Sequence, residues 1–317
     1  MTPPLLCFTD EFTMDSYRIG DIDVWRVEEW QGEFLPPDEM FTGFSRELFE
    51  QHAAEFTPDF YRAERDRYFG FLQSWLLEVN GTRILFDTGA GNDKHRPGIP
   101  LFAGLQTAFL QRLADCGVRL DDIDIVVCSH LHVDHVGWNT RLVDERWVPT
   151  FPRARYLFSA VDRAVWDPEI PEPSPSEVGA AVNQQVFEDS VAPLLRAGRA
   201  ELVCDELEVM PGIRLIPAPG HTPGHLMMHV TSAGEHALFV GDILHHPIQA
   251  RYPEWNSVFC EDPVQARQTR RDMLHKAALL DALIFPAHFG GQHCFRVKRH
   301  GNMFTPDLYP LDWRQTS

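Results

Sequence analysis

The sequence predicts a layered α/β domain, and three observations carry that reading. Strand-like and helix-like stretches alternate along the whole chain. Several short apolar runs have the length and continuity of strands buried on both faces. No internal repeat and no linker divides the 317 residues, so 1–317 reads as one domain with an aromatic-rich helical insertion at about 36–67. A hydrophobic share of 44% against 23% charged residues places the chain among ordinary globular proteins, neither disordered nor membrane-embedded.

Taken in order, residues 22–27, 69–79 and 83–87 read as strands, and Asn80-Gly81 between the last two marks a tight hairpin. Between the first two, residues 36–67 are rich in charges and in aromatics such as Phe41, Phe44, Phe49, Phe56, Phe60 and Tyr61. Two roles stay open for this arm: a helix pair packed on the domain surface, or a cover for the functional site or a dimer partner. Residues 101–113 carry Leu105, Phe109 and Leu113 at helical spacing, with Gly117 as a stop. Residues 124–129 form an apolar run of strand length. The proline-rich stretch 166–176 is a loop, and a helix is predicted over 176–196. Further strands fall at 214–217, 226–230 and 237–240, followed by a helix over Pro263–Leu280 and a last strand at 282–285.

Composition also excludes. With 28 basic against 46 acidic side chains the formal charge is −18, a field that repels polyanions, so nucleic acid is not an expected partner. No run approaches the ~18 apolar residues of a membrane helix. Residues 1–11 lack a basic region and a sustained apolar stretch, so no secretory signal is read and a cytoplasmic protein is expected. The cysteines Cys7, Cys116, Cys128, Cys204, Cys260 and Cys294 are scattered without a CxxC pair, which argues against disulfides and a thiolate zinc site. Most of them read as buried apolar fillers.

The stretch that carries chemistry is Ser129-His130-Leu131-His132-Val133-Asp134-His135-Val136-Gly137, at the end of the buried run. Imidazole nitrogens and carboxylate oxygens are the donors that borderline divalent metals prefer. On extended backbone His130 and His132 point the same way. Asp134 and His135 can face a second point once the chain turns into a helix, so one segment can serve two metals. A lone HxH is a weak signal, whereas the packed HxHxDH is a strong one. Three further donors follow at strand ends: His221 in Pro219-Gly220-His221-Thr222-Pro223-Gly224-His225, Asp242 after Val240-Gly241, and His288 in Pro286-Ala287-His288-Phe289-Gly290-Gly291. Any one of them alone would read equally well as a capping or core polar residue.

These motifs resemble the metallo-β-lactamase superfamily over roughly residues 22–297. The resemblance implies an αββα sandwich with two divalent metal ions at one edge of the sheets, zinc foremost, with manganese, cobalt or iron as alternatives. It implies that His130, His132 and His221 hold one metal and that Asp134, His135 and His288 hold the other. Asp242 would bridge both. Asp87, in Phe86-Asp87-Thr88-Gly89, matches the superfamily's early aspartate and would support the ligand loop from behind. His225 would be structural. His245 and His246 either line the pocket or cap a strand, and Trp138 reads equally as pocket wall or core. His52, His95, His229, His236, His275, His293 and His300 read as surface or core residues.

Among the superfamily's activities, histidine at position 132 points away from the diiron electron-transfer branch, and Asp242 points away from antibiotic-cleaving lactamases. The roughly 30 residues after His288 are too few for the helical substrate domain of glyoxalase II. The nuclease branch is disfavoured by the charge and by the lack of the extra domain that branch carries. The closest resemblance is to the acyl-homoserine lactonase and methyl parathion hydrolase group, reinforced by the basic helix with Arg267, Arg270 and Arg271. The implied reaction is attack by a bridging hydroxide on a lactone or ester, with Asp134 or Asp242 accepting the proton. A phosphotriester is the alternative substrate. An iron-dependent oxygenase or a non-catalytic metal-binding protein is the alternative of another class. The expected partner is a small neutral or apolar substrate, and a homodimer is compatible with the arm.

Overall fold

The computed structural model describes residues 15–171 and 173–310. The reading of residues 1–11 and of Cys7 lies outside them. Two main sheets are formed. In the first, strands Ser16–Ile19, Ile22–Glu33, Arg67–Val79 and Thr82–Phe86 run antiparallel in that order. The strands Ile125–Val127, Arg155–Ser159 and Ala200–Val203 then extend the sheet in parallel. In the second sheet, Leu207–Met210, Ile213–Pro217, Leu226–Ser232 and Glu235–Gly241 are antiparallel, and Leu283–Pro286 adds in parallel to the last.

Side-chain alternation shows how the layers stack. Ile84 and Phe86 join Trp75, Ile125, Val127 and Leu157 in a core shared with Met228, Ala237, Phe239, Leu283 and Phe285 of the second sheet. The intervening Leu85, Leu76, Val126 and Tyr156 face the other way, onto Phe109, Leu113 and the segments around Phe187 and Leu194. On the second sheet Leu238, Val240 and Ile284 likewise turn outward, onto Met273, Leu274 and Ala277 of the Pro263–Leu280 helix. One core between two sheets and one outside each is the αββα sandwich, and it follows from the period-2 pattern of strands buried on both faces.

The Asn80-Gly81 hairpin forms with both residues at positive φ, 51° and 80°, as a tight primed turn requires. The Pro263–Leu280 helix has the predicted bounds, capped by Asp262, whose side chain accepts from Val264 and Gln265. Two predicted helices are shorter than expected. Between 101 and 113, only a 3-10 turn Pro100–Phe102 and the helix Phe109–Asp115 form, because Gly104 at φ 62° breaks the run. Over 176–196, Glu177–Val182 is separated from a π-helical turn, Phe187–Val191, by Asn183 to Gln185, with Gln185 at φ 65°. The arm is not a helix pair. It folds as short turns, Pro37–Met40, Arg46–Glu50 and Ala53–Phe56, and buries Phe41, Phe49, Phe56 and Phe60 in the outer core of the second sheet. Among the described residues, no helix is long and apolar enough to cross a membrane. Of the cysteines, Cys128, Cys260 and Cys294 are buried and Cys204 is exposed, and none of these forms a disulfide.

Candidate metal centre

Every donor singled out in the sequence stands just past the end of a strand, at one edge of the sandwich. His130 to His135 follow the Ile125–Val127 strand as a tight turn, closed by the His135 amide on the His132 carbonyl at 3.1 Å. The helix expected after Asp134 is only a 3-10 turn, Gly137–Asn139. His221 lies in the turn before Leu226–Ser232, Asp242 directly follows Glu235–Gly241, and His288 follows Leu283–Pro286. The structure brings all seven together. His130, His132 and His221 form one group, Asp134, His135 and His288 a second, and within each the donor atoms lie within 4.8 Å of one another.

Asp242 lies between the two groups. Its Oδ2 is 3.3 Å from His221 Nε2 and 3.9 Å from His130 Nε2. Its Oδ1 is 3.0 Å from His288 Nε2 and 3.3 Å from His135 Nε2. Asp134 sits 3.6 Å from His135 Nε2 and 3.7 Å from His288 Nε2. Among the described residues, the Nε2 atoms of His130 and His132 are buried without a hydrogen-bond partner. Buried polar atoms are rarely left so, and such imidazole nitrogens converging with the Asp242 and Asp134 carboxylates fit divalent cations.

The far side of the rings is held by a network that selects the metal-facing nitrogen. Asp87 accepts from the Ser129 amide at 2.7 Å, from Ser129 Oγ at 2.8 Å and from His135 Nδ1 at 3.0 Å. With its hydroxyl proton given to Asp87, Ser129 Oγ is left to accept from His130 Nδ1 at 3.0 Å. His288 Nδ1 donates to the Phe71 carbonyl at 2.8 Å. In all three rings Nε2 is therefore the free donor. Asp87 takes the supporting place that the sequence resemblance implies. His225 is structural, its Nε2 accepting from the Asp242 amide at 3.1 Å.

Burial, reinforced by neighbouring imidazoles, holds His130 well below the ordinary range. Burial also outweighs the pull of nearby carboxylates at His132, lowered to about 4, and at His221. These rings are neutral, the form that binds metals. Burial would lower His135 and His288 too, but Asp242 and Asp134, with Asp87 at His135, outweigh it and raise both. Burial would raise the Asp242 carboxyl, yet His135, His288 and His245 hold it well below its usual value. The cluster draws positive charge to its His135–His288 side.

A cavity of about 590 Å³, its mouth included, opens on Asp134, Asp242 and His288. Its other walls include Trp30, Phe34, Tyr68, Phe71, Ile99, Phe102 and Phe259, and among the described residues no lysine or arginine lines it. Met40 of the arm forms part of the wall, so the arm contributes to the site. Two aromatics next to ligand candidates in the chain lie away from the cavity, which settles Trp138 as core rather than pocket wall. Trp138 stacks on Phe109 in the outer core and donates to Glu29 at 2.7 Å, and Phe289 packs against Phe60 and Phe295. His245 lines the cavity with its Nε2 3.1 Å from Asp242 Oδ2, whereas His246 is enclosed by Phe41, Phe49, Phe56, Phe60 and Tyr68.

Sequence reasoning missed two buried carboxylates behind the site. Glu29 accepts from the Ala90 and Gly91 amides at 2.5 and 2.9 Å, which ties the 88–91 turn to the first sheet. Asp162 joins the loops of His130 and His221. Its only sequence signal is the helix-start spacing Ser159-x-x-Asp162.

Paired sheets with such a donor cluster at their edge define a metallo-hydrolase scaffold. The metallo-beta-lactamase superfamily profile matches residues 67–288, more than half of the chain, and the chain belongs to that superfamily. A probable metallo-hydrolase of Mycobacterium tuberculosis is 27% identical over 259 residues, covering 74% of this chain and 75% of that protein. An N-acyl homoserine lactonase of a Bacillus species is 26% identical over 162 residues, about half of each chain. Among solved structures, the hydrolase AbOPH of the beta lactamase superfamily superposes with a TM-score of 0.78 at 21% identity, covering 95% of this chain and 98% of that one. The dizinc quorum-quenching lactonase AidC gives a TM-score of 0.74 at 21% identity, covering 92% and 96%. At such identities these likenesses show the fold.

Proposed function

We propose that the chain hydrolyses small neutral lactones or aryl esters, with two divalent cations held by His130, His132, His221, Asp134, His135, His288 and Asp242. The observation that carries this reading is the apolar cavity that opens on Asp134, Asp242 and His288 without a lysine or arginine among the described residues of its wall. A substrate carboxylate buried there would have no cationic partner, whereas an uncharged ester loses little on leaving water. The imidazole-rich donor set favours zinc. Bound in such a set, divalent cations lower the pKa of water and polarise a carbonyl oxygen.

The chain's own residues do the rest. Asp242 presents one oxygen to each donor group and fixes their separation. Asp134 is partly open to the cavity, with a side-chain exposure of 17%, and is placed to take a proton from the attacking water and return it to the leaving alkoxide. Aromatic walls from Trp30, Phe34, Phe102 and Phe259 exclude water and hold the apolar body of the substrate. A neutral phosphotriester suits the same wall and is the second reading. The test is kcat/KM for one lactone, one aryl ester, one phosphotriester and one β-lactam at a single pH and metal loading. Lactone or ester should lead and the β-lactam should trail. A leading β-lactam, or inert lactones and esters, contradicts this reading of the cavity.

A further inference from the structure

We infer that Asp162 is a positioning residue whose carboxylate clamps together the two loops bearing His130, His132 and His221, and thereby sets the affinity chiefly of that metal position. The inference rests on the two-metal reading proposed above. Asp162 is fully buried in the first turn of the Ala160–Trp166 helix. Its Oδ2 accepts from the Leu131 amide at 3.2 Å and from Thr222 Oγ1 at 2.8 Å. Its Oδ1 accepts from the Gly224 amide at 2.6 Å. Leu131 lies between His130 and His132, and Thr222 directly follows His221. One carboxylate therefore bonds both loops across the gap in which His132 Nδ1 and His221 Nε2 face each other at 3.0 Å.

The fit is close enough to dictate a neighbour. A Cβ on residue 224 would stand 2.5 Å from the Asp162 amide nitrogen and 2.7 Å from its Oδ1, so glycine is required there by this contact. The other metal group has supports of its own. His135 leans on Asp87 and His288 on the Phe71 carbonyl, and the Asp162 bonds named above come from the backbone and hydroxyl beside His130, His132 and His221. Although His135 shares the 130–135 turn, disturbing Asp162 should thus be felt mainly on the His130–His132–His221 side of Asp242.

Asparagine in place of Asp162 has the same shape but a single acceptor oxygen. Its NH₂ group would meet the Leu131 N–H, donor against donor, and the two loops would part slightly. Metal ligands tolerate little displacement, so affinity should fall at the position shared by these loops. The experiment is a chelator-competition titration with Zn²⁺ on the full chain, comparing wild type with Asp162→Asn in two backgrounds. Where His288→Ala has disabled the second group, Asp162→Asn should weaken the remaining equivalent at least tenfold. Where His221→Ala has disabled the first group, the same substitution should weaken the remaining equivalent far less. Hydrogen exchange of the Leu131 and Gly224 amides, read on metal-free protein, should accelerate in Asp162→Asn.

Should Asp162→Asn fail to fold, Thr222→Val removes one clamp bond while preserving shape, and the same unequal weakening is expected at smaller size. Unchanged affinity, or equal loss in both backgrounds, overturns the inference. If wild type binds only one equivalent, the two-metal reading fails instead, and the metal-free amide exchange alone decides whether the clamp exists.

Discussion

At the residue scale, Asp242 concentrates the chemistry, since its two oxygens face the two donor groups separately. Replacing it with alanine removes a buried charge that fixes the separation of those groups. Asp242→Ala should lose metal from the second position and lower kcat by ~10²-fold or more, the scale of a lost electrostatic stabiliser. Metal analysis and steady-state kinetics read both, and near wild-type turnover with two metals would contradict the bridging role. Glu29 makes a pH prediction of unusual sign. Burial, resisted by bonds from Ala90, Gly91, Trp138 and Thr107, pushes its carboxyl from 4.5 up to about 6. Between those values the folded chain binds more protons than the unfolded one, so stability falls as pH rises. The contribution is fully present below 4.5 and lost above about 6. Relative to Glu29→Gln, chelated wild-type protein should therefore lose denaturation midpoint between pH 4.5 and 7. Parallel midpoint curves would contradict it. The candidate metal-ligand residues were legible because polar donor side chains cluster just past the ends of apolar strands. Glu29 and Asp162 were not, because their partners are backbone amides distant in the chain.

At the element scale, the ligand loop is seated on the 88–91 turn. The Gly137 amide donates to the Gly89 carbonyl at 2.7 Å, and the Thr88 amide to the His135 carbonyl at 2.8 Å. A Cβ on Gly137 would collide with the Ala90 backbone. Since neither chain can yield without moving a ligand, Gly137→Ala should cost about 2–4 kcal/mol, the range of severe core overpacking and strain. Urea denaturation of the chelated protein measures it, and a change within ~0.5 kcal/mol would show that the loop has room to adjust. Strands buried on both faces were read from their continuous apolar runs at Leu226–Ser232 and Leu283–Pro286, whereas the equally buried Arg155–Ser159 was not read. The hairpin Thr140–Val143 with Arg146–Pro149 was missed because its residues are largely exposed and carry no period-2 signal. The helix over 101–113 was overread because Gly104 lay inside an otherwise helical spacing. Trp138, left open between pocket wall and core, packs in the core, and Phe289 beside His288 likewise turns away from the cavity. Adjacency to a ligand in the chain says nothing about which face of the loop a side chain takes.

At the scale of the whole molecule, a strongly acidic protein surrounds an apolar cavity whose charged lining groups, among the described residues, belong to the candidate metal centre or stand beside it. Under the proposed reading, field and wall act together: the −18 charge would disfavour anionic substrates at a distance, and a wall without a cation among its described residues would disfavour them on arrival. A single cationic side chain in the wall should shift that preference. Phe102→Arg should raise kcat/KM for a carboxylate-bearing β-lactam relative to a neutral ester by about tenfold, the value of one well-placed charge-assisted bond. An unchanged ratio would mean that the wall does not select substrate charge. All of this depends on the sandwich bringing four separate strand ends into one two-part donor set. The most direct test is elemental analysis of protein purified without chelator, paired with turnover during metal depletion. Two equivalents of divalent metal per chain, with activity lost as they are removed, is the expected result. Full activity with one equivalent or none would contradict the two-metal centre.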